Sequence, residues 1–254
     1  RVIVGLGRGT AYNVYEYQGY GIPHEDAQSL YGEAEGIMLQ AWTSPQGFSH
    51  AGKHWTLKVP RLRPEPFTKP HPYTIRAASS EHGALALAKR GLPFLMNVQS
   101  NATTATRMAL YKAEMEGAGF DAAHVARCLD ESWVWRNVVV APTDAEALRI
   151  GVPAFEAMQA HRKALREQIH AEQGIIMRKE DAPPARTQSD LALIAGSPET
   201  VAAKMAEIEA TGVGGVICAF RLGPMSAEAT AGSIRLFMEQ VAPRFGDRLA
   251  AAAD

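Results

Sequence analysis

The stretch TIRAASSEHGALALAKRGLPFLMN, residues 74–97, decides how the rest of the chain is read. Thr74 to Ala78 reads as a strand, Ser80 to Arg90 as a helix closed by Gly91, and Pro93 to Asn97 as a second strand. Two nearly continuous apolar strands joined through a helix form a βαβ unit, whose strands lie parallel and are covered on both faces.

The alternation extends in both directions. Toward the amino end, Val2 to Leu6 is a strand, and a Gly- and Tyr-rich loop leads to a helix with Ala27, Leu30, Tyr31, Ala34, Met38 and Ala41 on one face. His54 to Val59 reads as a short strand. Pro60 to Pro72 holds five prolines and is expected to be an irregular connection. Toward the carboxyl end, a helix runs from about Ala102 to Ala118 and stops at Gly119, and Trp133 to Ala141 is a strand. Thr143 and Glu146 then make a capping box at the head of the longest helical region, which Pro153 is expected to divide into two pieces. Residues 174–189 are expected to be a mobile loop. Ser197-Pro198 opens a helix carrying Val201, Met205 and Ile208, Val216 to Phe220 is the last strand, and Ile234, Phe237, Met238 and Val241 mark the last helix.

These units give an α/β fold with five core strands in a single domain over residues 1–254. A closed (β/α)8 TIM-type barrel needs three more strands. The chain enters a strand directly at Arg1, so the first three are expected upstream. With its edges unpaired, the isolated chain is expected to be marginally stable or to aggregate.

Composition narrows the function. Net charge is −1, with no dense Lys/Arg run, so nucleic acid and anionic membrane surfaces are set aside as partners. No apolar run approaches the roughly 20 residues that span a bilayer. Cys128 and Cys218 lie far apart with no Cys-x-x-Cys, which suggests neither a disulfide framework nor a thiolate metal site and fits a reducing, cytoplasmic setting.

Two segments could carry chemistry. Gly5-Leu6-Gly7-Arg8-Gly9 lies at the carboxyl end of a strand, where ligands bind in parallel α/β folds. It is not the dinucleotide fingerprint, because Thr10 stands where a third glycine belongs; it reads equally as a tight turn or as a rim at which Arg8 meets a phosphate. In Ala78-Ser79-Ser80-Glu81-His82-Gly83 a strand passes straight into a helix. The free N–H groups of that first turn suit an anion, while Ser79 or Ser80 also reads as a plain helix cap. Arg8 comes from the strand just before this one in barrel order, so both groups can serve one phosphate.

At these residues the sequence resembles the bacterial-luciferase-like, FMN-dependent monooxygenases. The resemblance rests on Gly7-Arg8-Gly9 with Tyr12, the run from Glu33 to Trp42, and Arg63-Pro64 through Pro70-His71-Pro72. It continues in Ala77 to Gly83 with Ala88 and Gly91, in Gly196 to Val201, and in Thr211-Gly212-Val213 through Phe220. It implies an eight-stranded barrel with FMN at the carboxyl end of the strands, its phosphate held by Arg8, Ser79, Ser80, His82 and Gly83. Gly83 departs from the family, which usually carries Ser or Thr there. One side-chain donor is thus missing, a charge-assisted bond of about 1.5 to 3 kcal/mol, and the Gly83 N–H is expected to serve instead. Tyr73 departs as well, standing where a second proline is common.

The resemblance further implies a reaction of reduced flavin, supplied by a separate flavin reductase, with O2 and a small organic substrate of the aldehyde, ketone or alkane class. Catalytic histidines in relatives come from early strands, so no general base is named. A deazaflavin coenzyme within the same superfamily and a non-catalytic flavin-binding protein are the alternatives. Relatives commonly dimerise through early helices, which leaves a homodimer open. The loop at 174–189 is expected to act as a lid. Tyr12, Tyr15 and Tyr17 read as ordered-loop packing ahead of a flavin pocket, and Arg221 as a solvated rim arginine. His50 and His54 sit four apart, but Gly52 and the strand-like run beyond argue against a helical metal pair.

Overall fold

The structure is a computed structural model that describes residues 2–176 and 193–246. It divides into two compact units, residues 1–77 with 169–182 and residues 78–168 with 183–254.

In the first unit, β1 (Ile3–Leu6) pairs in parallel with β4 (Tyr73–Ala77), Ile3 opposite Tyr73 and Leu6 opposite Arg76. Between them come α1 (Val14–Gly19), α2 (Ala27–Thr43) and an antiparallel hairpin of β2 (Phe48–Ala51) and β3 (Thr56–Val59). The short strand expected over His54 to Val59 is therefore the second arm of a hairpin. The proline-rich stretch after it is irregular, with cis peptide bonds before Pro64 and Pro70.

Two polar clasps hold this unit together. Glu35 of α2 and Arg76 of β4 are both buried; the Arg76 Nε donates to Glu35 Oε1 at 2.8 Å and Nη1 donates to the Thr74 hydroxyl at 2.8 Å. A second carboxylate, Glu33, accepts from His50 Nε2 at 2.9 Å and from the backbone N–H groups of His54 and Trp55 at 3.0 Å, tying α2 to the hairpin. Burial alone would raise the Glu33 pKa, but the bonds from His50, His54 and Trp55 outweigh it and hold the carboxyl at about 2.

The second unit holds α3 (Glu81–Ala88), β5 (Phe94–Met96), α4 (Asn101–Gly117), α5 (Ala122–Asp130), β6 (Trp133–Val140) and α6 (Asp144–Gln173), whose last residues group with the first unit. Then follow β7 (Leu193–Gly196), α7 (Pro198–Glu209), β8 (Gly215–Ala219) and α8 (Ala227–Leu236), which runs on into a π-helical turn at Phe237–Val241. β6 pairs in parallel with β5, β7 and β8; Trp133 opposes both Leu95 and Gly215, and Asn137 opposes both Leu193 and Ala219. The five strands read from the sequence are all present. β7 and α5 are additional.

Burial explains why these residues form these elements. Phe94, Met96, Tyr111, Met115, Val134, Val138 and Val201 are closed off in one core, with the Phe94 and Tyr111 rings 4.6 Å apart. Tyr111 keeps its hydroxyl satisfied by donating to Leu92 O at 2.7 Å. A second cluster packs Ala147, Ala154 and Phe155 of α6 against Val139, Leu222 and Met225. This packing corrects the expectation of two helical pieces. Pro153 lies inside one continuous helix, because the buried residues on either side of it fix the path and outweigh one lost backbone bond. Cys128 and Cys218 are free, and burial pushes both thiols up, Cys218 to about 11.

Two outcomes test this account. Phe94→Ala is expected to lower stability by about 3–5 kcal/mol, read as a shift in the urea midpoint; a loss below about 1 kcal/mol would mean the core closes without that ring. For Glu33, the folded pKa lies below the 4.5 of a free carboxyl. Its contribution is therefore complete above that value and is lost as pH falls toward about 2. Glu33→Gln should lose stability at pH 7 and show a flatter acid limb; an unchanged acid limb would mean the three bonds do not form in solution.

Candidate functional site

The Gly-Arg-Gly loop after β1 is held by the chain that follows it. Gly9 has φ +88°, and a Cβ there would meet the Tyr17 hydroxyl at 2.8 Å. Only glycine fits. That hydroxyl donates to Arg8 O at 2.7 Å, and the buried Tyr17 ring sits edge-on to His24. Burial raises the Tyr17 pKa, with Arg8 opposing. Tyr17 is thus a packing residue. Tyr15 is edge-on to His170, at 6.0 Å between ring centres. The Arg8 side chain is exposed, and its Nη1 donates to the neutral Gln28 Oε1 at 3.1 Å.

In the second unit, Ser80 is the N-cap of α3. Its hydroxyl accepts the Gly83 N–H at 3.0 Å, and its carbonyl accepts the Ala84 N–H at 3.1 Å. The Gly83 N–H, expected to face a phosphate, is already taken by this cap. The N–H groups of Glu81 and His82 at the first two helical positions have no acceptor within the helix. Ser79, Ser80 and His82 are exposed, and a Cβ at position 83 would crowd Ser80 Oγ at 3.2 Å. The absence of the hydroxyl residue usual at Gly83 leaves the cap undisturbed.

Arg8 belongs to the first unit and Ser79, Ser80, His82 and Gly83 to the second. What the structure adds to each is its local state: an exposed guanidinium with a neutral partner, and a capped helix start with free N–H groups. Both suit a phosphate.

The other candidates find their places. His50 is committed to Glu33, and His54 Nε2 lies 2.7 Å from Ser29 Oγ. Arg221 is exposed just beyond β8. Of the loop at 174–189, residues 177 onward lie outside the described residues. Among the described residues no helix is long and apolar enough to cross a membrane.

One buried charge lies outside these candidates. Arg136, in the middle of β6, is 2% exposed. A lone charge interrupting Trp133-Val134-Trp135-Arg136-Asn137-Val138 was the available signal.

A sequence model of the family described as luciferase-like monooxygenase matches residues 1–215. The chain belongs to that family. None of the curated proteins matches it. Among solved structures, the monooxygenase RslO1 from Streptomyces bottropensis is similar at 20% identity and a TM-score of 0.74, covering 97% of this chain and 69% of its own. The FMN complex of the oxygenating constituent of 3,6-diketocamphane monooxygenase, a type II Baeyer-Villiger enzyme from Pseudomonas putida, is 22% identical with a TM-score of 0.64, covering 95% and 70%. The coenzyme F420 dependent tetrahydromethanopterin reductase from Methanopyrus kandleri is 17% identical with a TM-score of 0.62, covering 97% and 74%. At such identities the likeness concerns the fold, and the luciferase-like α/β fold class expected from the sequence stands. Solved structures similar to this luciferase-like chain include monooxygenases and a coenzyme F420 dependent reductase.

The cap gives a direct test of the helix start. Ser80→Ala should cost about 1 kcal/mol of stability by urea unfolding, while Ser79→Ala should change it by less than about 0.5 kcal/mol. Equal losses would mean Ser80 is not the capping residue in solution.

Proposed function

We propose that this luciferase-like chain acts as a single-domain flavin-dependent monooxygenase, binding reduced FMN from a separate flavin reductase and using O2 to oxygenate a small organic substrate. The observation that carries the reading is the start of α3, where a strand runs into a helix whose Glu81 and His82 N–H groups have no acceptor in the helix. Beside it stands the family match over residues 1–215. In the first unit Arg8 would offer a phosphate its guanidinium fork, and in the second Ser79, Ser80 and the N–H groups of Glu81 and His82 would offer neutral donors. Ser80 would keep the helix start rigid while doing so.

When bound, the flavin supplies the electrons and the oxygen chemistry. This chain's own part is to fix the phosphate end, so that the reacting ring is oriented, and to exclude water around it. A deazaflavin coenzyme is the second reading, favoured by the similarity to the coenzyme F420 dependent reductase.

Fluorescence titration of FMN, reduced FMN and coenzyme F420 into wild type, Arg8→Ala and Ser80→Ala tests it. Saturable FMN binding is expected, weakened about 10- to 100-fold in Arg8→Ala, in line with a lost charge-assisted bond. Binding of coenzyme F420 alone would move the assignment to the second reading. Absence of saturable binding by either coenzyme to the folded protein would sink both.

A further inference from the structure

A cavity of about 230 Å³ lies within the second unit and joins an apolar wall, Leu193, Ile194 and Ile208, to Ser100, Asn101 and Arg136. Neither Arg8 nor any residue from Ser79 to Gly83 lines it. Lys204 and Glu207 do, but they pair with each other at 2.8 Å, so their charges cancel. Arg136 is left as the uncompensated charge on the lining.

Among the described residues, the surroundings of Arg136 hold no counter-ion. Its Nη1 donates to Trp135 O at 2.9 Å, and its Nη2 donates to Asn101 Oδ1 at 3.2 Å and to Thr104 Oγ1 at 3.4 Å. All three acceptors are neutral, and among the described residues Arg136 makes no ion pair. Burial lowers its pKa to about 10, and no charged neighbour among the described residues contributes, so it stays a cation at neutral pH. A buried cation without an opposite charge is costly, and proteins ordinarily pair it. The same lining carries a second source of positive potential. Ser100 caps the 17-residue helix α4 through Thr103 N, which leaves the N–H groups of Asn101 and Ala102 without an acceptor in the helix.

We propose that this cavity binds a small organic carboxylate, its head group against Arg136 and Asn101 and a short apolar tail along Ile194 and Ile208. With both Nη2 hydrogens donated to Asn101 and Thr104, the carboxylate would take one charge-assisted bond from a remaining guanidinium N–H and another from the Asn101 amide, and the apolar wall adds contact that a bare inorganic ion cannot use. The site is separate from the flavin reading and does not depend on it.

Calorimetric titration of the full chain with hexanoate, hexanamide and inorganic phosphate at constant ionic strength tests the proposal in wild type, Arg136→Met, Asn101→Ala and Arg8→Ala. Saturable hexanoate binding is expected, at least tenfold weaker in Arg136→Met, unchanged in Arg8→Ala and undetected with hexanamide. Phosphate should bind more weakly than hexanoate. Should Arg136→Met fail to fold, a loss of affinity in folded Asn101→Ala carries the test, and unchanged affinity there overturns the proposal. It is also overturned by absent hexanoate binding, by equal binding of hexanamide, by phosphate binding as well as hexanoate, or by loss of hexanoate binding in Arg8→Ala.

Discussion

The fold of the second unit depends on one requirement: the backbone of Trp133–Val140, buried continuously from Arg136 to Val140, must be hydrogen-bonded on both edges. Parallel partners meet it from both sides, β8 along Trp133 to Asn137 and β7 from Asn137 to Val140. Where the ladder runs out, side chains take over. Ser233 Oγ accepts the Val140 N–H at 2.8 Å, and Ser132 Oγ accepts the Phe94 N–H at 3.2 Å. The valines of this strand and the buried face of α6 follow from that requirement, since a sheet paired and covered in this way can expose neither polar backbone nor ragged packing. Arg136 is the charged exception, and it persists because three neutral oxygens reach it.

What was legible in the sequence was whatever is local. The five strands announce themselves as apolar runs, and the caps at Ser80, Thr143 and Ser197 are visible from residue type and spacing, each confirmed by a bond to the N–H three residues on. Leu193–Gly196 is not legible because a run of only four residues ending in Ala195 and Gly196 carries little strand signal; its pairing with Asn137 to Val140 is what makes it a strand. Ala122–Asp130 was missed because only Val125 and Cys128 are buried on it. Pro153 reads locally as a helix breaker, and the packing that overrides it comes from distant residues. At the candidate site, Arg8 and Ser80 could be named from the sequence. The Tyr17 hydroxyl behind Gly9 and the Gln28 partner of Arg8 could not, since they depend on contacts across intervening loops.

The two readings of the Ser79–Gly83 turn, as a cap and as an anion site, are compatible. A cap through Ser80 Oγ uses the third N–H of the helix and leaves the first two, and it is those two that an anion would take. Gly83 fits this division, since a larger residue would press on the capping oxygen. The same economy appears around Glu33, where one carboxylate gathers an imidazole and two N–H groups and so fastens the hairpin to α2.

The state of the two cysteines has a practical consequence. A thiol with a pKa of about 11 is ionised in only about one molecule in ten thousand at pH 7, and Cys128 is closed off and shifted in the same direction. The native protein therefore offers a quiet background to maleimide chemistry. A single cysteine placed on an exposed helix face can carry a fluorophore or spin label without first removing the natural thiols, and a pair placed within one unit can report a distance across its unaltered core.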